Sequence, residues 1–137
     1  TLNQNLKENG LDYVTVDAVM EASDDSGQML GYVLTVTDSE GYGGDIQLSM
    51  GVRMDGTLNG ISILSISETA GLGMNADTDA FKGQFADKNV EQFTYTKNGA
   101  SADNEIDAIS GATITTNAVT NGVNGGLLTF QYLKGGN

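Results

Sequence analysis

The stretch Asp107-Ala108-Ile109-Ser110-Gly111-Ala112-Thr113-Ile114-Thr115 has an order of residue types that folding alone does not explain. Ser110 is a good N-cap candidate for a helix, because its hydroxyl can accept a hydrogen bond from the free amide of Thr113. On that register Gly111, Ala112 and Thr113 are the first three helical positions. A capping box places Glu or Gln third, whereas Thr113 brings a hydroxyl nucleophile to the positive end of the helix dipole. Small residues precede it, so the stretch predicts a phosphate that is bound by Thr113 or esterified to it.

The same stretch resembles Asp-x-x-Ser/Thr-Gly-Ala-Thr, the flavinylation motif of the FMN-binding domain family, at Asp107, Ser110, Gly111, Ala112 and Thr113. The family includes the G subunit of Rnf-type electron-transport complexes and the C subunit of the sodium-pumping NADH:quinone oxidoreductase. The resemblance implies that FMN is joined through its phosphate to Thr113, and that Ser110, Gly111 and Ala112 shape the turn and offer amides. Asp107 then serves recognition by a flavin transferase or orders the turn, and a structural role is equally open. The alternative, a plain capped helix start, accounts for Ser110 alone.

A second stretch, Ser67-Glu68-Thr69-Ala70-Gly71-Leu72-Gly73-Met74, places two glycines around a leucine where a strand stops. Glycine has no side chain, so the backbone at such a place allows a flat ligand to approach closely. An ordinary strand-to-helix loop explains the same residues equally well. The run resembles the family's second signature, Glu-Thr-Pro-Gly-Leu-Gly, with Ala70 in place of the proline. The resemblance implies that the flavin ring is bordered by Glu68, Thr69, Gly71, Leu72 and Gly73.

The composition removes several classes of chemistry. The 137 residues fit one domain, 1–137, and include no Cys, His, Trp or Pro. Zinc sites, thiolate iron–sulfur clusters and Ser–His or Cys nucleophile systems therefore lack their usual groups. Asp77 and Asp79 are read as charges near a helix start, since the rest of a calcium loop is missing. We assign no catalytic residue and no metal ligand, so any redox chemistry must use an organic cofactor.

The charge is strongly negative, at −12 from 18 acidic and 6 basic residues. Binding to nucleic acid or to an anionic membrane surface by charge is therefore disfavoured. The same field opposes a free FMN phosphate, and a covalent link removes that difficulty. Solubility of an exported domain explains the acidity equally well.

Residues 13–67 predict an antiparallel meander. Strands are expected from Val14 to Glu21 and from Met29 to Thr37, with Asp24–Gly27 as a turn and Ser39–Gly44 as a loop. After this loop, apolar and polar residues alternate strictly in a third predicted strand. The Asp55-Gly56 hairpin signal then connects that strand to a fourth, from Leu58 to Ile66. One buried face is expected for the alternating residues Ile46, Leu48, Met50 and Val52.

Helical patterns occur at both ends and in the middle of the chain. Leu2 and Leu6 suit a short helix that Gly10 ends. Asp77–Phe85 predicts an amphipathic helix with Ala80, Phe81 and Phe85 on its buried side. Val90–Thr96 alternates as a strand, and 97–100 is a turn. The three- to four-residue recurrence of Val119, Val123, Leu127 and Phe130 predicts one buried face of a helix running to about Leu133. Its glycines at 122, 125 and 126 each cost about 1 kcal/mol relative to Ala, so this helix must rely on packing.

No stretch approaches the ~20 apolar residues of a membrane helix. Because the chain starts at Thr1, we interpret it as an excised soluble portion. Complex subunits of the family carry one membrane helix before this domain. The resemblance therefore implies membrane anchoring in the full-length protein, at the extracytoplasmic face.

The patterns together predict an α+β fold of twisted antiparallel sheets, a short central helix and a long C-terminal helix. The resemblance covers roughly 14–133 and implies an electron-transfer flavoprotein domain of an Rnf-type ion-translocating complex, acting as a redox subunit and not as a stand-alone catalyst. Its implied partners are the other subunits and a flavin transferase. Two alternatives stay open: the FMN domain of an extracellular carrier or flavin-dependent reductase, and a non-redox acidic surface or adhesion module.

Overall fold

The computed structural model describes residues 2–135, and the side chains of residues 3–134. The elements in chain order are α1 (Leu2–Glu8), β1 (Val14–Ser23), β2 (Met29–Gly41), β3 (Gly44–Arg53), β4 (Leu58–Ser65), α2 (Asp79–Lys82), β5 (Thr94–Thr96), β6 (Glu105–Asp107) and α3 (Thr113–Gly135). An antiparallel sheet with short helices and one long C-terminal helix confirms the predicted α+β class. No helix within residues 2–135 is both long and apolar enough to cross a membrane.

The main sheet is the predicted meander, in the order β1-β2-β3-β4 with every pair antiparallel. The alternation in β3 is confirmed, because Ile46, Leu48, Met50 and Val52 are all buried. The hairpin at Asp55-Gly56 is also confirmed, since Gly56 has φ +94° and donates its amide to the carbonyl of Arg53 at 2.8 Å. Period-two burial therefore fixes which face of the sheet meets the rest of the chain.

The predicted Ser39–Gly44 loop is wrong, because β2 continues through Gly41 and β3 begins at Gly44. Gly41 pairs directly with Gly44, which leaves Tyr42 and Gly43 as a two-residue connection. Gly44 adopts φ +125°, a conformation that suits glycine and closes the tight turn. The turn holds Tyr42 at the surface beside the start of α3.

Helix α3 lies across the inner face of the sheet and contacts β2 more than any other element. The predicted stripe is confirmed, because Val119, Val123, Leu127 and Phe130 are all buried. Two of the glycines that weaken the helix allow this close approach. A Cβ at Gly125 would lie 2.6 Å from Cγ1 of Val14, and one at Gly126 would lie 2.1 Å from Sδ of Met50.

The predicted helix over Asp77–Phe85 is wrong in its length. Thr78 has extended backbone angles, φ −106° and ψ 152°, which separates a 3-10 turn at Gly73–Asp77 from α2. A second 3-10 turn at Gly83–Phe85 follows. Ala80, expected on the buried side, is exposed. The aromatic residues of this segment are still buried. The rings of Phe81 and Phe85 pack edge to face with their centroids 5.7 Å apart, and those of Phe85 and Phe93 do so at 5.0 Å.

The predicted strand Val90–Thr96 shortens to β5, and β5 pairs with β6 in parallel. Phe93 stands outside the strand because the side chain of Asn124 on α3 satisfies its backbone. The Phe93 amide donates to Oδ1 of Asn124 at 2.7 Å, and Nδ2 of Asn124 donates to the Phe93 carbonyl at 2.9 Å. This small parallel sheet lies outside the antiparallel pattern that the sequence predicted.

At the N-terminus, α1 packs Leu6 into the core, and Gly10 at φ +83° follows the helix as predicted. Leu6 is fully buried, so its half of the predicted Leu2–Leu6 pair is confirmed. Thr1 and the side chain of Leu2 lie outside the described part of the chain.

Asp38 places a carboxyl group in the core at the end of β2, where it is 1% exposed. Its Oδ1 accepts the Glu40 amide at 2.6 Å, while its Oδ2 has no hydrogen-bond partner among the described residues. Burial raises the pKa of Asp38 to about 8, and the nearby carboxylates of Glu40 and Asp45 act in the same direction. The native state therefore favours the protonated form of this acid.

This raised pKa predicts that stability falls as the pH rises from about 4 to about 8. In that interval the folded chain keeps a proton on Asp38 that the unfolded chain, with a pKa of 3.8, has lost. We expect a loss on the order of a few kcal/mol, because a difference of one pKa unit between the folded and unfolded chain corresponds to about 1.4 kcal/mol. Denaturant unfolding at several pH values measures it.

The matched variants are Asp38→Asn, which should remove most of this fall, and Asp103→Asn, which should keep it. Asp103 is exposed, so its substitution is the same change of residue type without touching the core. Stability that is flat or rises over the same interval in the wild-type chain would contradict the assignment.

Candidate functional site

The two stretches singled out by sequence meet at one cleft of about 480 Å³, a size typical of small-molecule sites. The β2–β3 turn supplies one wall, the segment after β4 a second, and the start of α3 the third. The lining residues are Tyr42, Thr69, Leu72, Gly73, Gly111, Ala112, Thr113, Ile114 and Thr115.

The predicted helix register is wrong by two residues. Helix α3 begins at Thr113, and the carbonyl of Ala112 accepts the amide of Thr116 at 3.1 Å, so Ala112 holds the N-cap position. Ser110 is exposed and lies before this cap. Gly111 at φ +73° turns the chain, and the Ala112 amide donates to the Ile109 carbonyl at 3.0 Å. A backbone turn thus starts the helix where a serine hydroxyl was expected.

Thr113 is therefore the first helical residue, followed by Ile114 and Thr115. The amides of these three residues have no partner within the helix, because the first turn of a helix leaves its N–H groups unpaired. All three residues line the cleft. The cleft consequently meets the positive end of a 23-residue helix, a favourable position for a phosphate.

Three threonine hydroxyls lie near this helix start, and only that of Thr113 is accessible. Thr115 is buried and donates to Oε1 of Glu68 at 2.6 Å. Thr116 is buried, donates to the Ala112 carbonyl at 2.9 Å and accepts the Ile109 amide at 3.0 Å. Thr113 is half-buried and lines the cleft. Accessibility thus separates the three hydroxyls.

The second stretch divides between the cleft and its surroundings. Thr69, Leu72 and Gly73 line the cleft, whereas Glu68 and Gly71 do not. Gly71 is exposed at φ +78°, and its carbonyl accepts the side-chain amide of Asn75 at 3.2 Å. The carboxylate of Glu68 is turned toward neighbouring protein donors. Its predicted role beside the ring stays a prediction.

Asp107 does not line the cleft and lies at the end of β6, before the turn that leads to α3. Its Oδ1 accepts the Ala100 amide at 2.5 Å, which closes the predicted turn at 97–100. Its backbone amide and carbonyl are both bound by the side chain of Gln84, at 2.7 and 3.2 Å. These contacts favour the turn-ordering role among those open for Asp107.

Large apolar side chains surround the cleft. Tyr42 is 72% exposed, Ile114 is 52% exposed and Leu72 is 43% exposed. No lysine or arginine is among the lining residues of the described chain. Sequence reasoning did not assign Tyr42 or Ile114 to the site, although an aromatic residue inside a glycine-rich turn was a usable signal. The walls suit a flat apolar ring, and the helix start suits an anion.

The sequence model of a protein family, the FMN-binding domain, matches residues 41–127. These residues include the β2–β3 turn, the segment after β4 and the start of α3. The chain belongs to the FMN-binding domain family. The cofactor of this domain is therefore FMN.

Relatives of this FMN-binding domain include two oxidoreductase complex subunits. It is 44% identical over 102 residues to the G subunit of the proton-translocating ferredoxin:NAD(+) oxidoreductase complex of Clostridium ljungdahlii, covering 74% of this chain and 54% of the relative. It is 36% identical over 111 residues to the G subunit of the Na(+)-translocating ferredoxin:NAD(+) oxidoreductase complex of Acetobacterium woodii, covering 80% and 53%. The chain thus spans about half the length of the curated relatives it matches.

Solved structures share the fold. NqrC of Shewanella oneidensis superposes with a TM-score of 0.69 at 22% identity, over 86% of this chain and 59% of that chain. The C subunit of the Na(+)-translocating NADH-quinone reductase of Parabacteroides distasonis gives 0.66 at 27% identity, over 85% and 60%. The meander with a long helix across it is therefore an established architecture.

The cleft of this FMN-binding domain fits a flavin mononucleotide in shape and in chemistry. Exposed apolar walls at Tyr42, Leu72 and Ile114 suit the isoalloxazine ring, and the free amides at 113–115 suit the phosphate. Gly111 leaves space beside one of these walls, since a Cβ there would lie 3.1 Å from Cδ2 of Leu72.

Proposed function

We propose that this domain carries FMN joined through its phosphate to Thr113 and passes electrons as part of the G subunit of an Rnf-type ion-translocating ferredoxin:NAD oxidoreductase complex. One observation carries the proposal. Of three hydroxyls at the start of α3, only Thr113 is both accessible and placed beside open amides and an apolar-walled cleft.

A covalent bond is favoured because the cleft offers little to retain a free phosphate. The helix dipole stabilises an anion by about 0.3–1 kcal/mol at exposed sites and up to ~2 kcal/mol when partly buried. No cationic side chain lines the cleft in the described chain, and the net charge is −12. A dissociation constant of 1 μM requires a binding free energy of about 8 kcal/mol, so this attraction alone is too weak to retain a phosphate dianion.

Attachment is a phosphoryl transfer to the Thr113 hydroxyl. The Oγ1–H bond breaks, an Oγ1–P bond forms, and the P–O bond to the leaving group of an activated flavin nucleotide breaks. The hydroxyl proton departs with that leaving group. We assign this step to a separate flavin transferase, and Ser110, Gly111 and Ala112 shape the turn that presents the acceptor hydroxyl.

After attachment the residues of the chain have separate tasks. Tyr42, Leu72 and Ile114 hold the ring by apolar contact, and the amides at the start of α3 bind the phosphate. FMN supplies one- and two-electron transfer when it is bound. The open side of the cleft leaves a ring edge exposed to a redox partner.

The names of the relatives support other subunits of an ion-translocating oxidoreductase complex as partners. We propose that the domain works on the extracytoplasmic face, anchored by a segment outside this chain. Labelling of the full-length protein in intact cells with a membrane-impermeant reagent tests this side of the membrane.

The proposed function is tested by co-expressing the chain with a flavin transferase and measuring its mass after denaturation. We expect a gain of one FMN less one water, located by fragmentation on the peptide that contains Thr113. A chain that remains at its unmodified mass while a known acceptor in the same cells is flavinylated would overturn the proposal.

We also predict that the isolated flavinylated domain does not turn over NADH. The cleft is lined by apolar side chains, glycines and threonine hydroxyls, with Tyr42 as its one weakly acidic group among the described residues. NADH oxidation should therefore not exceed that of an equal concentration of free FMN, while a chemical reductant still bleaches the flavin. Rapid turnover by the pure domain would contradict the carrier function.

A further inference from the structure

Glu68 lies just outside the cleft and makes three hydrogen bonds to two other segments. The Tyr42 amide donates to its Oε1 at 2.9 Å, and the Gly43 amide donates to its Oε2 at 2.5 Å. The Thr115 hydroxyl donates to Oε1 at 2.6 Å. One carboxylate therefore joins the β2–β3 turn and the first turn of α3 to the segment after β4.

Two glycines, Gly43 and Gly73, leave the space that the Glu68 side chain occupies. A Cβ at Gly43 would lie 2.1 Å from the Ser67 carbonyl oxygen and 2.6 Å from Oε2 of Glu68. A Cβ at Gly73 would lie 2.6 Å from both the Cβ of Glu68 and the Oγ1 of Thr115. Any other residue at either position would displace Glu68 or its partners.

The three joined segments are the same three that form the walls of the cleft. Tyr42 comes from the turn, Leu72 from the segment after β4, and Ile114 from the start of α3. Nothing else in the described hydrogen bonds ties the Tyr42–Gly43 turn to the start of α3. Asn121 of α3 also donates to Oε1 of Glu40 in β2 at 3.0 Å, but among the described hydrogen bonds only those of Glu68 link the turn residues themselves to the first turn of α3.

We propose that Glu68 is a positioning residue that fixes the two outer walls of the cleft relative to each other, so that the flavin ring fits between them. This proposal rests on the proposed function for its ligand, because FMN is what the walls would hold. The carboxylate acts through its three protein partners, and Glu68 is not among the residues that line the cleft.

The chemistry of the three donors requires a carboxylate. Two amides and one hydroxyl all donate, and an ionised carboxylate accepts at both oxygens. Glutamine has one acceptor oxygen, and its NH₂ group would face a donor. Glu68→Gln therefore removes at least one bond while keeping the length and volume of the side chain.

Glu105 provides a matched control. Its Oε1 accepts the Ser101 amide at 3.0 Å, the Ser101 hydroxyl at 3.0 Å and the Ala102 amide at 2.9 Å. Glu105→Gln is thus the same substitution at a half-buried carboxylate that also accepts three bonds and does not line the cleft.

The first measurement uses the chain without flavin, so it does not depend on the proposed function. In Glu68→Gln we expect amide hydrogen exchange of Tyr42 or Gly43 to accelerate about 10- to 100-fold, the factor implied by losing a bond to a charged group. We also expect the NMR signals of 113–115 to shift. Glu105→Gln should change neither. Unchanged exchange and unchanged signals in Glu68→Gln would overturn the positioning role.

The second measurement uses the flavinylated chain. Glu68→Gln should keep the mass of bound FMN, because Thr113 is intact, but its flavin circular dichroism and fluorescence should move toward those of free FMN. Thr115→Val, which removes only the link to α3, should do the same in part, and Thr115→Ser should restore the wild-type spectrum.

The outcomes separate the two proposals. Loss of the FMN mass from the wild-type chain would count against the proposed function alone, since the exchange measurement still tests Glu68. Bound FMN with wild-type spectra in both Glu68→Gln and Thr115→Val would overturn the inference while leaving the proposed function in place.

Discussion

Thr113→Ala is expected to abolish flavin attachment completely while leaving the fold intact. The substitution removes the only accessible hydroxyl among the three threonines at the start of α3, because Thr115 and Thr116 are buried and hydrogen bonded. Alanine is favourable in a helix, and Thr113 makes no side-chain hydrogen bond within the described residues that the fold would lose. The measurement is the mass of the denatured chain after co-expression with a flavin transferase, with far-ultraviolet circular dichroism to check the fold.

The two buried threonines serve as controls for this prediction. Thr115→Ala and Thr116→Ala should keep the flavin, although each loses hydrogen bonds. Thr116→Ala is expected to cost about 1–3 kcal/mol, because its hydroxyl donates to Ala112 and accepts from Ile109 in a buried place. Thr113→Ala protein that still carries the mass of one FMN less water would move the attachment to Thr115 or Thr116.

The parts of the fold that sequence predicted well are those where burial follows a strong period. The alternation in β3 and the three- to four-residue stripe of α3 each repeat over four buried positions. A shift by one residue would expose the whole set, so the pattern determines both the element and its facing side. The Asp55-Gly56 turn added a local backbone signal that needs no distant contact.

The errors arose where distant side chains replace regular pairing. Asn124 on α3 binds the backbone of Phe93 and so ends the expected strand early. The Tyr42–Gly43 turn is short because the carboxylate of Glu68, 25 residues or more along the chain, accepts both of its amides. No local pattern contains such contacts, because they depend on the completed fold.

The candidate site was predicted as two stretches, and the structure brings both to one cleft. Their internal geometry was not predictable from capping rules. Ser110 has the residue type of an N-cap, but the left-handed conformation of Gly111 moves the helix start to Thr113. Thr113 was favoured for its place in the predicted helix register, whereas the structure favours it because Thr115 is buried and Thr113 is not. Glu68 was predicted to border the ring, which stays a prediction, and its hydrogen bonds to the turn and to Thr115 were not predicted.

The glycines of α3 show a further effect of the completed fold. Sequence alone counts Gly122, Gly125 and Gly126 as equal helix-weakening residues. Their surroundings differ, since a Cβ at Gly122 would meet Cδ2 of Leu48 at an ordinary 3.4 Å. At Gly125 and Gly126 it would fall inside the contact distance of Val14 and Met50. Close approach of the helix to the sheet therefore depends on two of the three.

Gly125→Val is expected to destabilise the chain by about 2–4 kcal/mol, through overpacking against β1. The nearest atom, Cγ1 of Val14, belongs to a buried β-branched side chain that has little freedom at χ1 and cannot turn away. Gly126 faces the thioether of Met50, which adapts its shape more easily, so Gly126→Ala should cost less. Denaturant unfolding followed by circular dichroism at the helical band measures both.

Gly122→Ala is the matched control in the same helix. Its added methyl group meets ordinary contacts, so the gain in helix propensity should stabilise the chain by up to about 1 kcal/mol. The opposite signs at positions 122 and 125 distinguish close helix–sheet packing from a general effect of losing a glycine. If Gly125→Val were as stable as the wild-type chain, α3 would have to lie further from β1 than the structure places it.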